Sequence, residues 1–317
     1  MSTTTKVLGF VAGLALVFAA ALGLGRVVGP VQAAPTESHA EGGHGESDAA
    51  TDEAAPAAYP KGLLVSQDGY TLKLAQTSAP AGASVPITFQ VLGPEGAPVT
   101  EYELSHEEDL HLIAVRRDFT GFQHVHPEMA ADGTWSTPLA LTPGQWRLFA
   151  DFKASGAEAL TLGADLAVDG RFTAQPPVPE TRTSVVDGYT VTLTGDLEAG
   201  AEARLTLNVS RDGVPVTDLE PYLGAYGHLV ALREGDLAYL HVHPEGTPGD
   251  GTTAPGPEIV FFAEVPSASG YRLYLDFKHE GVVRTASFAV PSTGAAPPAS
   301  GDDGDGDSGE SHADDNH

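Results

Sequence analysis

Cysteine is absent from all 317 residues. That excludes disulfide bridges, thiolate zinc sites, iron–sulfur clusters and cysteine-ligated blue copper, so any metal must be held by nitrogen and oxygen. Methionine is almost as scarce. Met1 and Met129 are the two in the chain, too few for a thioether relay that would select Cu(I). Positive charge is also short: 16 Lys and Arg stand against 43 Asp and Glu, a formal net charge of −27. Such a field opposes a phosphate backbone or an anionic lipid surface and favours cations, so nucleic acid is not an expected partner. Beyond the N-terminus no segment carries a helical hydrophobic period.

What is present begins with Lys6, followed by the uncharged apolar run 7–25 before Arg26. The run is longer than most signal-peptide cores and close to the length of a spanning helix. Residues 1–30 are expected to be a signal peptide or a membrane-anchor helix, with Val31-Gln32-Ala33 as an acceptable cleavage signal. Either outcome puts the body of the protein on the extracellular or periplasmic side, secreted or anchored in the membrane through that helix. Residues 31–60 and 293–317 are rich in Ala, Gly, Pro, Ser and acidic side chains. They cannot bury a core, and are expected to be a disordered linker and a disordered acidic tail. His39, His44, His312 and His317 fall in these segments.

Between them the chain repeats itself. Asp68-Gly69-Tyr70-Thr71 matches Asp187-Gly188-Tyr189-Thr190, and Trp146 to Lys153 matches Tyr271 to Lys278. The spacing runs from 117, His111 to His228, to 125, Trp146 to Tyr271. Two modules follow, at 61–175 and 181–292. Within each, short alternating runs are separated by Gly, Pro and Asp clusters, the pattern of an all-β sandwich. The expected fold is a tandem pair of immunoglobulin-like β-sandwiches without the disulfide.

The motif His-Val-His-Pro-Glu occurs twice, at His124 to Glu128 and at His241 to Glu245. Alternate strand residues share a face, so His124 and His126 project together, as do His241 and His243. The run 111–116 lies just upstream, close enough to form a hairpin with the motif. Setting His111 opposite His126 puts Ile113 opposite His124, and all three imidazoles then share a face. The same register in the second copy gathers His228, His241 and His243. Each set offers three nitrogens, as two sites or one shared between modules, suited to Cu(II), Zn(II) or Ni(II), with Cu(II) favoured and Zn(II) second. Glu128 or Glu245 could complete a site, and Asp151 or Asp276, at matched positions, could accept a bond from a ligand's second nitrogen. The first module adds His106 with the acidic run Glu107, Glu108 and Asp109, while the second adds Tyr226 and, separately, His279. Against metal binding stands the plainer reading, in which duplicated strand histidines are half-buried packing residues.

In module size, strand pattern, apolar leader and cysteine-free histidine sets, the chain resembles exported bacterial copper-handling β-sandwich modules of the CopC-like and YtkA-like group. The block from His111-Leu-Ile-Ala-Val-Arg116 to the His-Val-His-Pro-Glu motif looks like that of exported proteins associated with heavy metals. The resemblance implies a metal context and no mechanism; the first expectation is an exported, non-enzymatic protein that sequesters or delivers copper, with a copper-handling partner. Gly121 to His126 is also similar to the copper strand of Cu/Zn superoxide dismutase, but the zinc-loop series and the cysteine pair of that family are missing. A structural or adhesive sandwich pair, or a metal-dependent enzyme with Glu128 as base, are the competing expectations.

Overall fold

The structure, a computed structural model, describes residues 59–294. The expected anchor helix, nearly all of the linker and all but the first residues of the acidic tail lie outside the described residues. Among the described residues all regular structure is β, in twenty strands, and the two modules belong to one compact unit.

The first module is a sandwich of two sheets. One runs Ser66–Gln67, Tyr70–Leu74, Gly82–Leu92, Thr134–Leu141, Glu128–Met129; the other runs Ser78–Ala79, Leu160–Val168, Gly144–Phe152, Leu110–Arg116, Gln123–Val125. Neighbours are antiparallel, except that Ser78–Ala79 joins Leu160–Val168 in parallel. This is the immunoglobulin-type arrangement of strands in two facing sheets. The second module repeats it. Thr183–Val186, Tyr189–Thr194, Ala201–Arg211, Glu258–Val265 and Val242–Pro244 form one sheet, with Val214–Pro215 added to Ala201–Arg211. Leu197–Glu198, Val282–Thr293, Gly270–His279 and His228–Arg233 form the other.

Side-chain alternation shows where each face goes. In Leu110–Arg116 every residue is buried, which a strand with one wet face would not show. Leu110, Leu112 and Ala114 enter the first module's core beside Trp146, Leu148 and Phe152. Ile113 and Val115 point the other way, into a third apolar cluster with Phe149, Val230, Leu232, Leu237 and Tyr274. The second module behaves alike, with Leu229 and Ala231 in its own core beside Leu273 and Phe288. The two outward sheet faces therefore pack on each other, and the aromatic contacts repeat with roles exchanged. Phe122 stacks on Tyr274, with centroids 3.9 Å apart at 5°, and their counterparts Tyr239 and Phe149 meet at 5.8 Å. An approximate two-fold thus relates the modules. Tyr274 also donates its hydroxyl to the Phe119 carbonyl at 2.7 Å, which satisfies a polar group that the packing would otherwise strand.

Candidate metal centre

Leu110–Arg116 pairs with Gln123–Val125 so that Ile113 lies opposite His124, the register expected from the hairpin. His111, His124 and His126 come together, each offering a ring nitrogen within 4.8 Å of the others. His111 is buried, and the His124 side chain is 1% exposed.

The hydrogen bonds decide where lone pairs point. His111 Nε2 donates to the Ser105 carbonyl at 2.8 Å, which leaves Nδ1 as the ring's acceptor. That Nδ1 lies 3.0 Å from His124 Nε2, and His124 Nδ1 lies 2.8 Å from Asp276 Oδ2. Asp276 takes a further bond at 2.5 Å from the Thr285 hydroxyl. With Asp276 protonated, its carboxyl donates to His124 Nδ1 and His124 Nε2 donates to His111 Nδ1 at 3.0 Å. With Asp276 ionised, His124 donates through Nδ1 instead, and a cation can take the place of the proton between the two facing nitrogens. His126 Nε2, buried against the same group, has no hydrogen-bond partner. A buried nitrogen without a partner is costly. Two imidazole nitrogens on one tetrahedral zinc lie about 3.3 Å apart, given bonds of about 2.0–2.1 Å, so the His111–His124 spacing suits one ion, and His126 offers a nitrogen within 4.8 Å of both.

Two further histidines border the triad. His228 of the second module stacks on His111, with centroids 5.5 Å apart at 13°, and lies 4.8 Å from His124. His106 lies 5.4 Å from His228 and 6.0 Å from His111. It sits in a tight turn closed by the Ser105–Glu108 bridge, where His106 and Glu107 hold φ of 50° and 69°. Consecutive left-handed residues other than glycine are uncommon and cost energy. The turn presents the Ser105 carbonyl to His111 and places Glu108 3.5 Å from His126 Nδ1. In the matching turn of the second module, Leu223 and Gly224 take the central places and Ala225 replaces Glu108.

Burial pushes His124 and His228 well below the ordinary histidine range, helped by the neighbouring imidazoles, and lowers His126 to about 4. His106 is also lowered, first by burial. Burial raises Asp276 to about 7, against its bond from Thr285. The shifts on His124 and Asp276 both favour the uncharged forms, so their contact is a shared hydrogen bond and not an ion pair.

Linkage fixes the sign of the pH effect. Each lowered histidine contributes stability that is present above its unfolded value near 6.5 and lost as pH falls toward its folded value. Asp276 acts oppositely, its contribution being lost as pH rises from the ordinary carboxylate range through about 7. Four histidines outweigh one carboxylate. Melting temperature in the presence of a chelator should therefore fall as pH drops from 6.5 to 4; a flat profile across that window would contradict the buried, neutral cluster.

The second expected triplet does not form, which corrects the sequence-based expectation. The turn end of that hairpin is kept, with the Leu232–Tyr239 bridge and the Leu240 amide donating to the Ala231 carbonyl at 2.9 Å, but Val242–Pro244 pairs with Glu258–Val265 on the opposite sheet. His241 meets Lys61 Nζ at 3.2 Å, and His243 stacks on Phe262 with Glu202 3.6 Å away. One position explains the divergence. In the first module the Gln123 side chain donates to the Ala140 carbonyl at 2.9 Å and accepts from the Ala140 amide at 2.8 Å. The motif's backbone is then free to pair with Leu110–Arg116. The counterpart of Gln123 is Leu240, which can do neither, and the Glu264 amide instead donates to the main-chain carbonyl of His241 at 3.0 Å.

The remaining candidates are dispersed. Glu128 is an exposed residue opposite Ser136 on the far sheet, and Glu245 pairs with Arg204 at 3.1 Å. Asp151 accepts from Thr161 at 2.9 Å, the counterpart of the Thr285–Asp276 bond. Of the matched aspartates only Asp276 bonds an imidazole, and that imidazole belongs to the other module. His279 is a packing residue held by the Tyr189 hydroxyl at 2.7 Å and Asp218 at 3.0 Å. Sequence reasoning did not assign parts to Ser105, Thr285 and Tyr222, whose ring lies 6.4 Å from His126. The matched Asp–Thr pairs were a usable signal for Thr285.

The profile of the family described as Domain of unknown function (DUF8832) matches residues 65–169 and again 183–294, and the chain belongs to that family. No curated protein matches it. Among solved structures, the chain is similar to the Yersinia pseudotuberculosis adhesin InvE at 11% identity and a TM-score of 0.21, covering 70% of this chain and 58% of that one. It is likewise similar to the Escherichia coli adhesin FdeC at 14% identity and 0.22, covering 73% and 65%. A putative membrane-anchored protein of Corynebacterium diphtheriae matches at 12% and 0.22, covering 74% and 60%. The chain thus spans less than two thirds of these proteins, and overlaps this slight bear on neither ligand nor partner.

Proposed function

We propose that this member of the DUF8832 family binds a divalent transition-metal ion through His111, His124 and His126, and sequesters or delivers that ion outside the cytoplasm. The observation that carries the reading is the gathering of His111, His124 and His126, each with a ring nitrogen within 4.8 Å of the others, His111 Nδ1 and His124 Nε2 lying 3.0 Å apart and His126 Nε2 having no hydrogen-bond partner. Neutral imidazoles without sulfur suit Cu(II), which heads the affinity order for nitrogen ligands, with Zn(II) second. Asp276 orients His124 and the Ser105 carbonyl orients His111, as outer partners do around metal-ligating histidines. Binding rather than turnover is the proposed role, with a copper-handling protein as the recipient of the ion. The apolar run 7–25 supports export and attachment to a membrane, as does the resemblance to exported copper-handling modules.

Titrating the chelator-treated full chain with Cu(II) and with Zn(II) tests this. Uptake of one equivalent at micromolar metal is expected, and no uptake of either ion would refute it. The rival reading is a structural joint, favoured by the hydrogen bonds that already hold His111 and His124. On that reading metal leaves the melting temperature unchanged.

A further inference from the structure

We infer that His228 of the second module is the fourth imidazole on the ion, so that the site belongs to the joint between modules and the described residues hold a single one. The inference rests on the metal-binding reading above. His228 begins the strand His228–Arg233, whose outward face meets that of Leu110–Arg116 across the approximate two-fold. It is the counterpart of His111, and the two rings lie nearly parallel, 5.5 Å apart. Its ring neighbours are His106, His111 and His124. Packing imidazoles against one another at a buried joint gains little apolar burial, and His126 Nε2 is left without a hydrogen-bond partner; a shared cation removes that cost.

The second module contributes twice, because Asp276 lies directly opposite His228 in its own sheet while bonding His124 of the first module. One module therefore supplies three ligands, and the other supplies one ligand and the carboxylate that aims a second. Four nitrogens complete the tetrahedral set of zinc and the usual set of Cu(II). His106 is farther from the triad than His228 is, at 6.0 Å from His111, and is not needed to fill the shell. His241 and His243, drawn to the opposite sheet, take no part.

The test uses the full chain and two measurements, competition titration with Zn(II) and the nitrogen hyperfine pattern of the Cu(II)-loaded protein. His228→Ala and His228→Gln should each weaken Zn(II) binding by about 100-fold, at or beyond the upper end of what loss of an outer-shell partner costs. They should also reduce the coordinated nitrogens from four to three. His241→Ala with His243→Ala should change neither quantity. Unchanged affinity and an unchanged hyperfine pattern in both folded His228 variants would overturn the inference while leaving the three-histidine reading intact. A loss produced by His106→Ala instead would also overturn it. Failure of the unsubstituted chain to take up either ion would bring down the underlying reading.

Discussion

A chain carrying His111→Ala together with His124→Ala is expected to lose metal uptake at micromolar Cu(II) or Zn(II) while keeping its β fold. The two nitrogens that face each other at 3.0 Å belong to these residues, and removing both leaves His126 as the one member of the triad. Outer-shell losses around metal sites cost about 10- to 100-fold in affinity; loss of two ligands costs far more. The substitution also removes two buried imidazoles whose nitrogens need partners, so thermal stability with chelator should change modestly. Metal-dependent stabilisation should vanish, since a ligand that binds only the folded state stabilises it by an amount that grows with the logarithm of its concentration over Kd and falls to nothing when Kd far exceeds that concentration. Equal uptake by the variant and the parent chain would contradict the assignment.

Phe149→Ala should destabilise the described body by about 3–5 kcal/mol, the usual cost of truncating a buried aromatic side chain. Phe149 is fully buried, yet it does not sit in the core of its own sandwich. It belongs to the cluster between modules, with Ile113, Val230 and Tyr274, and meets Tyr239 of the second module at 5.8 Å. Denaturant unfolding followed by fluorescence and by circular dichroism would measure the loss. A change below about 1 kcal/mol, within the range of surface substitutions, would mean that the modules do not rely on this joint. The same variant should weaken metal binding, because Phe149 belongs to the apolar cluster between the strands that carry His111 and His228.

Much of this was legible in the residues. The duplication is written out in matched blocks, and the strands Gly144–Phe152 and Leu110–Arg116 fall where short apolar runs are bounded by Gly, Pro and Asp. The pairing of Ile113 with His124 follows from a short hairpin, which is local information. What escaped was the relation between modules. A hint lay in the run Leu112-Ile113-Ala114-Val115, apolar at consecutive positions where an outward face exposed to water would alternate. Nothing in the local pattern, however, says that its partner is the outward face of the other copy. The fate of His241 and His243 was further out of reach. It depends on whether position 123 or its counterpart 240 can bond the edge of a strand that lies some distance along the chain, at Ala140 or Glu264.

The stacking of His111 on His228 near the approximate two-fold has an evolutionary consequence. A residue beside such an axis meets its own counterpart, so duplication of one segment delivers two copies of the same side chain to one place. In a symmetric dimer of separate chains every later substitution would strike both copies at once. Fusion in one chain removes that restriction, and the turns show it used: His106 and Glu108 on one side answer to Leu223 and Ala225 on the other. One half of an inherited pair has been free to acquire new chemistry, while the other half keeps the mould.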